Sequence, residues 1–469
     1  MEQRTRGDGL AGDAWGRVRR EMSDVAGQTT GQVRRWHRGR ASALLRHHAR
    51  HSLNPAYRDL IDQAGVDPAG AVQTAAGWHR IPVIDKRWLA GAGYDRQPAC
   101  PGPVLIVTTS GSTATQVLVP VTAECANRGL GDNFGRALAM SGAGPGQRHW
   151  GIEHRPDGPG QGETGSSVSM TWLARHCGDN ALVTAATEPL DEQLRRAAAF
   201  RPDTISGSPG FLRQIALTAT AVRPVLLVYG GAALADPDAD LLRSRFPGVR
   251  LTAFYPTTDA GALGAAPASD GVYRTFSETH LIEVLDDDGR PVAAGGRGDV
   301  VVTQFGALAA PIIRYRVGDR ATYRGWERGR LLLSDIERAA EAAIGSTLVP
   351  YSDLRTWTPR LAARDPSVVA VQLVRGYSPG QQREQPIVRV IGRADGTGLT
   401  TELTTGLSTG LAAAARALLD DFPQIAAEIT SGELAPPLVE FRDPPPTLAG
   451  HWKIPLYVDE RGTREDGHA

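Results

Sequence analysis

Lysine is nearly absent from this chain of 469 residues: of 51 basic side chains only Lys86 and Lys453 are lysines, and the other 49 are arginines. Cysteine is scarce too, with Cys100, Cys125 and Cys177 far apart and odd in number. That excludes a disulfide framework and the close spacing of a zinc site, and makes a reducing cytoplasm the default compartment. No run of about 18 apolar residues occurs, so no transmembrane helix is expected. The polar start Met1-Glu2-Gln3-Arg4 lacks the apolar stretch of a secretory signal. Acidic and basic residues balance at 51 each. A sequence-independent nucleic-acid binder needs a positive excess, so neither nucleic acid nor membrane is an expected partner.

What is present fits a globular protein of more than one domain. The hydrophobic share is 41% and the charged share 22%, and the length exceeds what one core usually serves. Residues 1 to about 30 are rich in glycine and charge and are expected to be poorly ordered at first. Helices are expected from Gln32 to Gln63, interrupted at Asn54-Pro55. Between Pro103 and Phe305 strand-like runs at 181–184, 204–206 and 225–229 alternate with helical ones at 190–200, 209–221 and 236–246. That alternation indicates an α/β fold with a largely parallel sheet. Beyond Gly298 come strand-like runs at 299–304 and 330–334, then a helix over 352–363 and strands at 368–374 and 387–391. A long helix is expected over 399–421 and a last strand at 438–441, an α+β arrangement of its own. A boundary falls near 320–345, giving domains of 1–330 and 331–469.

Several segments carry chemistry. Thr108-Thr109-Ser110-Gly111-Ser112-Thr113 lies between two β-like runs and offers hydroxyls and a glycine turn. Such a turn forms an anion-binding concavity from its N–H groups, although an ordinary hairpin turn has the same composition. A lysine kept in so arginine-biased a chain suits a point contact to one phosphate oxygen, where arginine would bring a planar fork. Lys453 is therefore a candidate. Val225–Tyr229 runs into Gly230-Gly231-Ala232, small residues where a flat ring could approach the backbone. Phe254-Tyr255-Pro256-Thr257-Thr258-Asp259-Ala260-Gly261 combines an aromatic ring, two hydroxyls and a carboxylate suited to a hard cation. In Arg314-Tyr315-Arg316-Val317-Gly318-Asp319, the last residue could accept two ribose hydroxyls.

Taken in order, these segments resemble the adenylate-forming superfamily of acyl-CoA ligases, and most closely its phenylacetate–CoA ligase-like branch, from about residue 50 to 460. The resemblance implies a large N-terminal domain of layered sheets and helices and a smaller mobile α+β C-terminal domain. It implies ATP bound by Ser110, Gly111, Ser112 and Thr113 on the phosphates, Gly230, Gly231, Ala232 and Tyr255 at adenine, Thr257 and Thr258 nearby, and Arg316 and Asp319 toward the ribose. Asp259 falls at the magnesium position and Lys453 at that of the catalytic lysine. Pro82-Val83-Ile84-Asp85-Lys86 matches the branch's Pro-x-x-x-Lys and accounts for the other lysine.

The implied reaction is activation of a carboxylic acid as its acyl-adenylate, followed by transfer to CoA with release of AMP. Alternatives are transfer to an amine or a carrier protein, activation of nitrite, and a non-catalytic nucleotide binder. A homodimer is left open. The departures are Ala114-Thr115-Gln116 for the usual loop continuation, Pro256 for a glycine and Asp259 for a glutamate. The hinge motif is also missing, with Gly329-Arg330 and Asp335–Arg338 as competing candidates. The strand that should follow has become Ala339-Ala340-Glu341-Ala342-Ala343. For the acid, His149, His154 and Ser208 are the candidates. Ionisable side chains where aromatics are usual suggest a substrate with a polar or charged group. A surface loop at 149–155 and a helix cap at Ser208 are the competing readings.

Overall fold

The computed structural model describes residues 8–50, 54–94, 97–108, 118–153, 163–218, 221–234, 236–267, 270–338, 341–378, 383–392, 408–442 and 456–460. The chain divides into two compact units, the larger reaching to Glu337 and the smaller made mostly of the residues from Arg338 on. No helix among the described residues is long and apolar enough to cross a membrane.

The larger unit starts with three helices, α1 (Asp8–Ala26), α2 (Thr30–His48) and α3 (Pro55–Gln63). Helix α1 corrects the expectation of a poorly ordered start. Trp15, Val18, Met22 and Val25 recur at helical spacing and form an apolar stripe. Trp15 and Val18 are buried, the former with its ring 5.3 Å from that of Trp172. Arginine and glycine around the stripe disguised it. Asn54 caps α3 by accepting from the Tyr57 N–H at 3.1 Å, at the interruption expected there.

An antiparallel hairpin follows, β1 (Val104–Thr108) with β2 (Leu118–Thr122). The main sheet takes eleven strands: β3 (His149–Glu153), β4 (Ala181–Ala185), β5 (Thr204–Gly207), β6 (Leu226–Gly230), β7 (Arg250–Thr257), β8 (Gly261–Ala266), β9 (Tyr273–Thr275), β10 (His280–Leu285), β11 (Arg297–Gln304), β12 (Tyr315–Glu327) and β13 (Arg330–Arg338). Their order is β10-β11-β12-β13-β9-β8-β7-β6-β5-β3-β4. Only the run β7-β6-β5-β3-β4 is parallel, and the sheet turns antiparallel at β8, so the expectation of a largely parallel sheet holds for half of it. The parallel half is where helices Gly165–Cys177, Leu190–Phe200 and Pro209–Leu217 intervene between strands, as crossovers require. The last of these stops at Leu217, short of the expected 221.

In the smaller unit, β14 (Glu341–Ile344) pairs with β15 (Thr347–Pro350). The described part of the alanine-rich run, from Glu341, is thus a strand, although the sequence suggested its loss. Gly345 turns the hairpin with φ +56°, and Glu428 accepts from the hydroxyls of Ser346 (2.5 Å) and Thr347 (3.0 Å). Helix Tyr351–Ala362 packs on a four-stranded sheet ordered β18 (Leu438–Arg442), β17 (Glu384–Gly392), β16 (Val368–Tyr377), β19 (Tyr457–Asp459). Trp357, Val371, Leu373, Val388, Val390 and Leu418 fill its core. The long helix expected over 399–421 is described only from Ser408, runs to Arg416 and tightens into a 3-10 turn over Ala417–Asp421. Pro423 ends it, because the residue before a proline is pushed out of the helical region, and then starts a further helix, Pro423–Ser431.

Candidate active site

Strands β3, β5, β6 and β7 point the same way and end on one edge, at Glu153, Gly207, Gly230 and Thr257. Ligands of open parallel sheets bind at that carboxyl edge, where loops leave the strands. Gly230 stands opposite Phe254, and a Cβ there would lie 3.0 Å from the Phe254 carbonyl oxygen and 3.3 Å from Pro256 Cδ. Glycine is therefore needed for β6 to approach β7. Gly231 follows with φ +81°, and Ala232 is exposed.

At the end of β7 the pairing with β8 shifts register between Tyr255 and Pro256. Proline has no N–H to donate, which suits a bulge, and bulges re-aim neighbouring side chains. Beyond it, Thr257 donates its hydroxyl to the Gly261 carbonyl at 2.8 Å, closing the turn that carries Thr258 and Asp259. Thr257 and Asp259 are buried and Thr258 is half-buried. Gly261 has φ +78° and faces the Gly129 carbonyl too closely for a side chain.

Strand β12 brings the other half. Ile84, from the Pro82–Lys86 segment, bridges to Tyr315. It donates to the Arg314 carbonyl at 3.2 Å and accepts from Arg316 N at 2.8 Å. Arg314 takes φ +47° and buries its guanidinium against Glu283 (3.2 Å) and the Ile81 carbonyl (2.7 Å). Arg316 is exposed and pairs with Asp299 at 3.0 Å. Lys86 opens the helix Lys86–Gly91, which Asp85 caps by accepting from Trp88 N at 2.9 Å.

Two phenol–carboxylate pairs join these halves. Tyr255 Oη donates to Asp319 Oδ2 at 2.7 Å, and Tyr315 Oη donates to Asp259 Oδ2 at 2.5 Å. All four side chains are buried. A hydrogen bond to a charged acceptor is shorter and stronger than a neutral one. A carboxylate has about four acceptor sites, more than a phenol fills, which suits contact with a ribose hydroxyl or a cation as well. Tyr255 also meets Tyr273 edge-on, with centroids 5.9 Å apart.

The structure therefore brings Gly230, Gly231, Tyr255, Thr257, Thr258, Asp259 and Asp319 to the ends of β6 and β7 and the start of β12. Ser208 also stands on the carboxyl edge, after β5, but its hydroxyl caps the next helix by accepting from Phe211 N at 3.3 Å. His149 is not brought to that edge. It begins β3 at the opposite end, buried, with Nε2 2.8 Å from the Gly144 carbonyl, and burial lowers its pKa. Ser110, Gly111, Ser112, Thr113, His154 and Lys453 lie outside the described residues. Of the hinge candidates, Arg330 is fixed by Glu278 (3.0 and 2.5 Å) and the Thr275 carbonyl (2.9 Å). Asp335 instead holds a left-handed φ of +51°, three residues before Arg338.

Three residues on this edge went unassigned from sequence. Tyr315 was visible inside its motif but nothing local marks the carboxylate it reaches. Glu153, buried at the end of β3, and Tyr229, half-buried just before Gly230 with its pKa raised by burial, share the edge. Strand direction alone separates Glu153 from His149.

A magnesium ion fits the oxygen chemistry of this turn. Among the described residues no three His, Cys, Asp or Glu side chains converge. Magnesium needs no such cage, since it commonly takes one or two carboxylates and completes its shell with phosphate oxygens and water. Asp259 would hold it, with Thr257 and Thr258 alongside.

No family model matches the chain. A phenylacetate-coenzyme A ligase of Thermus thermophilus is 28% identical over 300 residues, which make up 59% of this chain and 63% of that protein. The chain thus spans less than two thirds of that relative's length. Among solved structures, 2-hydroxyisobutyryl-CoA ligase in its postadenylation state, in complex with 2-HIB-AMP, superposes with a TM-score of 0.62 at 17% identity, over 90% of this chain and 89% of the other. The GH3.15 acyl acid amido synthetase gives 0.60 at 14% identity, over 93% of each chain. At these identities the likeness is one of fold. The chain has the fold of the adenylate-forming ligases and, over 59% of its length, a sequence similar to that of a phenylacetate-coenzyme A ligase.

Proposed function

We propose that the protein is an AMP-forming ligase that activates a carboxylic acid with ATP and transfers the acyl group to CoA. The observation that carries this reading is the pairing of Tyr255 with Asp319 and of Tyr315 with Asp259 at the carboxyl edge of the parallel strands. Two buried carboxylates on that edge are in keeping with one contact to the ribose and one to the metal-bound phosphates of a nucleoside triphosphate. Residues 1–330 bind ATP and the acid in this reading, and residues 331–469 supply Lys453.

Tyr255 lies along adenine beside Gly230, Gly231 and Ala232, and Asp319 accepts from the ribose hydroxyls, with Arg316 at the rim. The substrate carboxylate attacks the α-phosphorus, a new P–O bond forms, and the bond to pyrophosphate breaks. The protein contributes position and fixed charge to this step. Lys453 meets the charge growing on the α-phosphate, while Ser110–Thr113, Thr257 and Thr258 hold the leaving pyrophosphate. Magnesium, when bound at Asp259, neutralises part of that charge. A thiol then attacks the acyl carbon and AMP leaves with the bonding pair. Glu153 and Tyr229 on the same edge favour an aryl or polar-substituted acid, with Ser208 and His154 as further candidates; His149, at the opposite end of β3, is not among them. The three cysteines are free, which suits a cytoplasmic setting.

Pyrophosphate release with ATP and magnesium, measured across aryl, acyl and amino acids without and then with CoA, tests this. The expected result is release with one acid class and a thioester only when CoA is present. Acid-dependent release that ignores CoA transfers the reading to an amine, a carrier protein or nitrite. No release with any acid, beside calorimetric nucleotide binding, points to a non-catalytic homologue.

A further inference from the structure

The turn that carries Asp259 is gripped from behind by buried side chains outside every motif discussed above. His280 Nε2 lies 2.7 Å from the Ala260 carbonyl, and Asn133 Nδ2 donates to the Ala262 carbonyl at 2.7 Å. With Thr257 on the Gly261 carbonyl, three successive backbone oxygens after Asp259 are each held by a side chain.

These groups form an ordered chain. A ring nitrogen facing a carbonyl must carry the proton, so His280 Nε2 is the donor and Nδ1 has the lone pair. Nδ1 therefore accepts from the Thr279 hydroxyl, 2.9 Å away. With its proton so used, Thr279 Oγ1 accepts from Asn133 Nδ2 at 2.9 Å. The Asn133 amide is oriented in turn by Arg136, which donates to its Oδ1 at 2.6 Å, and Arg136 is anchored by Glu21 of α1. Arg136, Asn133, Thr279 and His280 are all at most 3% exposed. Burial also keeps the imidazole neutral, lowering its pKa to about 4 against the opposing pull of the Ala260 carbonyl.

An all-apolar support would pack the same space without needing every polar group satisfied. What the chain adds is direction, since one tautomer and one amide orientation fix where each carbonyl sits. We infer that Thr279, His280 and Asn133 are positioning residues that set the Asp259 turn for magnesium-bound nucleotide. The inference rests on the ATP-dependent reading above and assigns to that site a buried support behind its cation-facing carboxylate.

The test is Thr279→Val, which removes the hydroxyl that donates to His280 Nδ1 and links it to Asn133, with Thr279→Ser as the rescue. Calorimetric affinity for ATP is measured with magnesium and with EDTA, beside steady-state adenylation. Thr279→Val is expected to weaken magnesium-ATP binding and raise its KM at least fivefold. Affinity for metal-free ATP, KM for the acid and melting temperature should stay near wild type, and Thr279→Ser should restore the loss. On an Asp259→Ala background the same change should have no further effect, because it acts through that carboxylate. Wild-type magnesium-ATP affinity in Thr279→Val, or an equal loss with EDTA, overturns the inference. If Thr279→Val does not fold, Thr279→Ala carries the same expected and overturning results. A wild-type protein that binds magnesium-ATP but adenylates no acid defeats the functional reading alone, since the binding comparison still decides this one.

Discussion

Tyr315 and Asp259 stand 56 positions apart and meet through a 2.5 Å hydrogen bond from a wholly buried phenol to a carboxylate. The bond ties the turn after β7 to the start of β12, so the strand that bears Asp319 also fixes Asp259. The aspartate, where the family motif has a glutamate, is thus held in place by a phenol.

Tyr315→Phe removes that donor and leaves the ring. Losing one partner of a buried charged acceptor costs about 1–3 kcal/mol. Affinity for magnesium-ATP is expected to fall roughly five- to 150-fold by that figure, with a smaller effect on metal-free ATP. Calorimetry with and without magnesium checks this. Equal losses in both would show that the phenol serves the fold rather than the carboxylate.

Asp319 makes a separate prediction about the sugar. If its carboxylate accepts ribose hydroxyls, wild-type enzyme should prefer ATP to 2′-deoxy-ATP by at least about tenfold in kcat/KM, about 1.4 kcal/mol for a charged hydrogen bond. Asp319→Ala should slow ATP and erase most of that preference. A preference that survives the substitution would place the ribose elsewhere.

Much of this arrangement was legible in sequence, and the part that was not has a physical reason. Gly230, Tyr255, Asp259 and Asp319 sit in contiguous motifs whose composition states their chemistry. Tyr315's reach to Asp259 depends on how two distant strands pair, which no local pattern encodes. His149 and Glu153 are four residues apart on one strand, yet only the direction of β3 decides which meets the carboxyl edge. Helix α1 was obscured because its stripe of Trp15, Val18 and Val25 is narrow among arginines and glycine. The strand β14 survives alanine enrichment because Ala342, Ile344 and Val349 are buried and Glu428 ties down the turn.

Stability should respond to acid through the buried histidines, and His37 and His48, unlike His280, lie outside the chain of groups behind the Asp259 turn. His37 binds the Ser277 carbonyl at 2.8 Å and His48 the Ala307 carbonyl at 2.7 Å. Burial, against the pull of those carbonyls, lowers their pKa values to about 4 and about 3. Above pH 6.5 both are neutral whether folded or not, and nothing changes with pH. Below 6.5 the unfolded chain takes up protons that the folded chain refuses, so stability falls as pH drops toward the folded values. Each costs about 1.4 kcal/mol per pH unit, or on the order of 3 kcal/mol for the pair at pH 5.5. Melting temperatures at pH 7.5 and 5.5 measure it, and a His37→Gln/His48→Gln variant should show a shallower decline.

Trp15→Ala tests whether α1 belongs to the core. Trp15 is 2% exposed and packs against Trp172, while the Trp172 indole N–H donates to Asp132 at 3.0 Å, the carboxylate paired with Arg17 of the same helix. Truncating a buried tryptophan costs about 3–5 kcal/mol. Chemical denaturation should show a loss of that size in the transition of the larger unit. A loss below about 1 kcal/mol, the range of ordinary surface substitutions, would restore the reading of a poorly ordered start.

Lys453 offers the sharpest test of the chemistry, because arginine serves almost everywhere else in this chain. If it places a point charge on the α-phosphate in the transition state, Lys453→Ala should slow adenylate formation by about a hundred- to a thousandfold, the cost of one preorganised donor. Binding of ATP should change far less, since the contact matures only as pyrophosphate leaves. Lys453→Arg separates charge from shape: the guanidinium keeps the charge but spreads it over a rigid fork on a different stem. It is expected to recover little of the loss. ATP–pyrophosphate exchange reads all three forms directly, and wild-type rates in the alanine variant would remove Lys453 from the reaction.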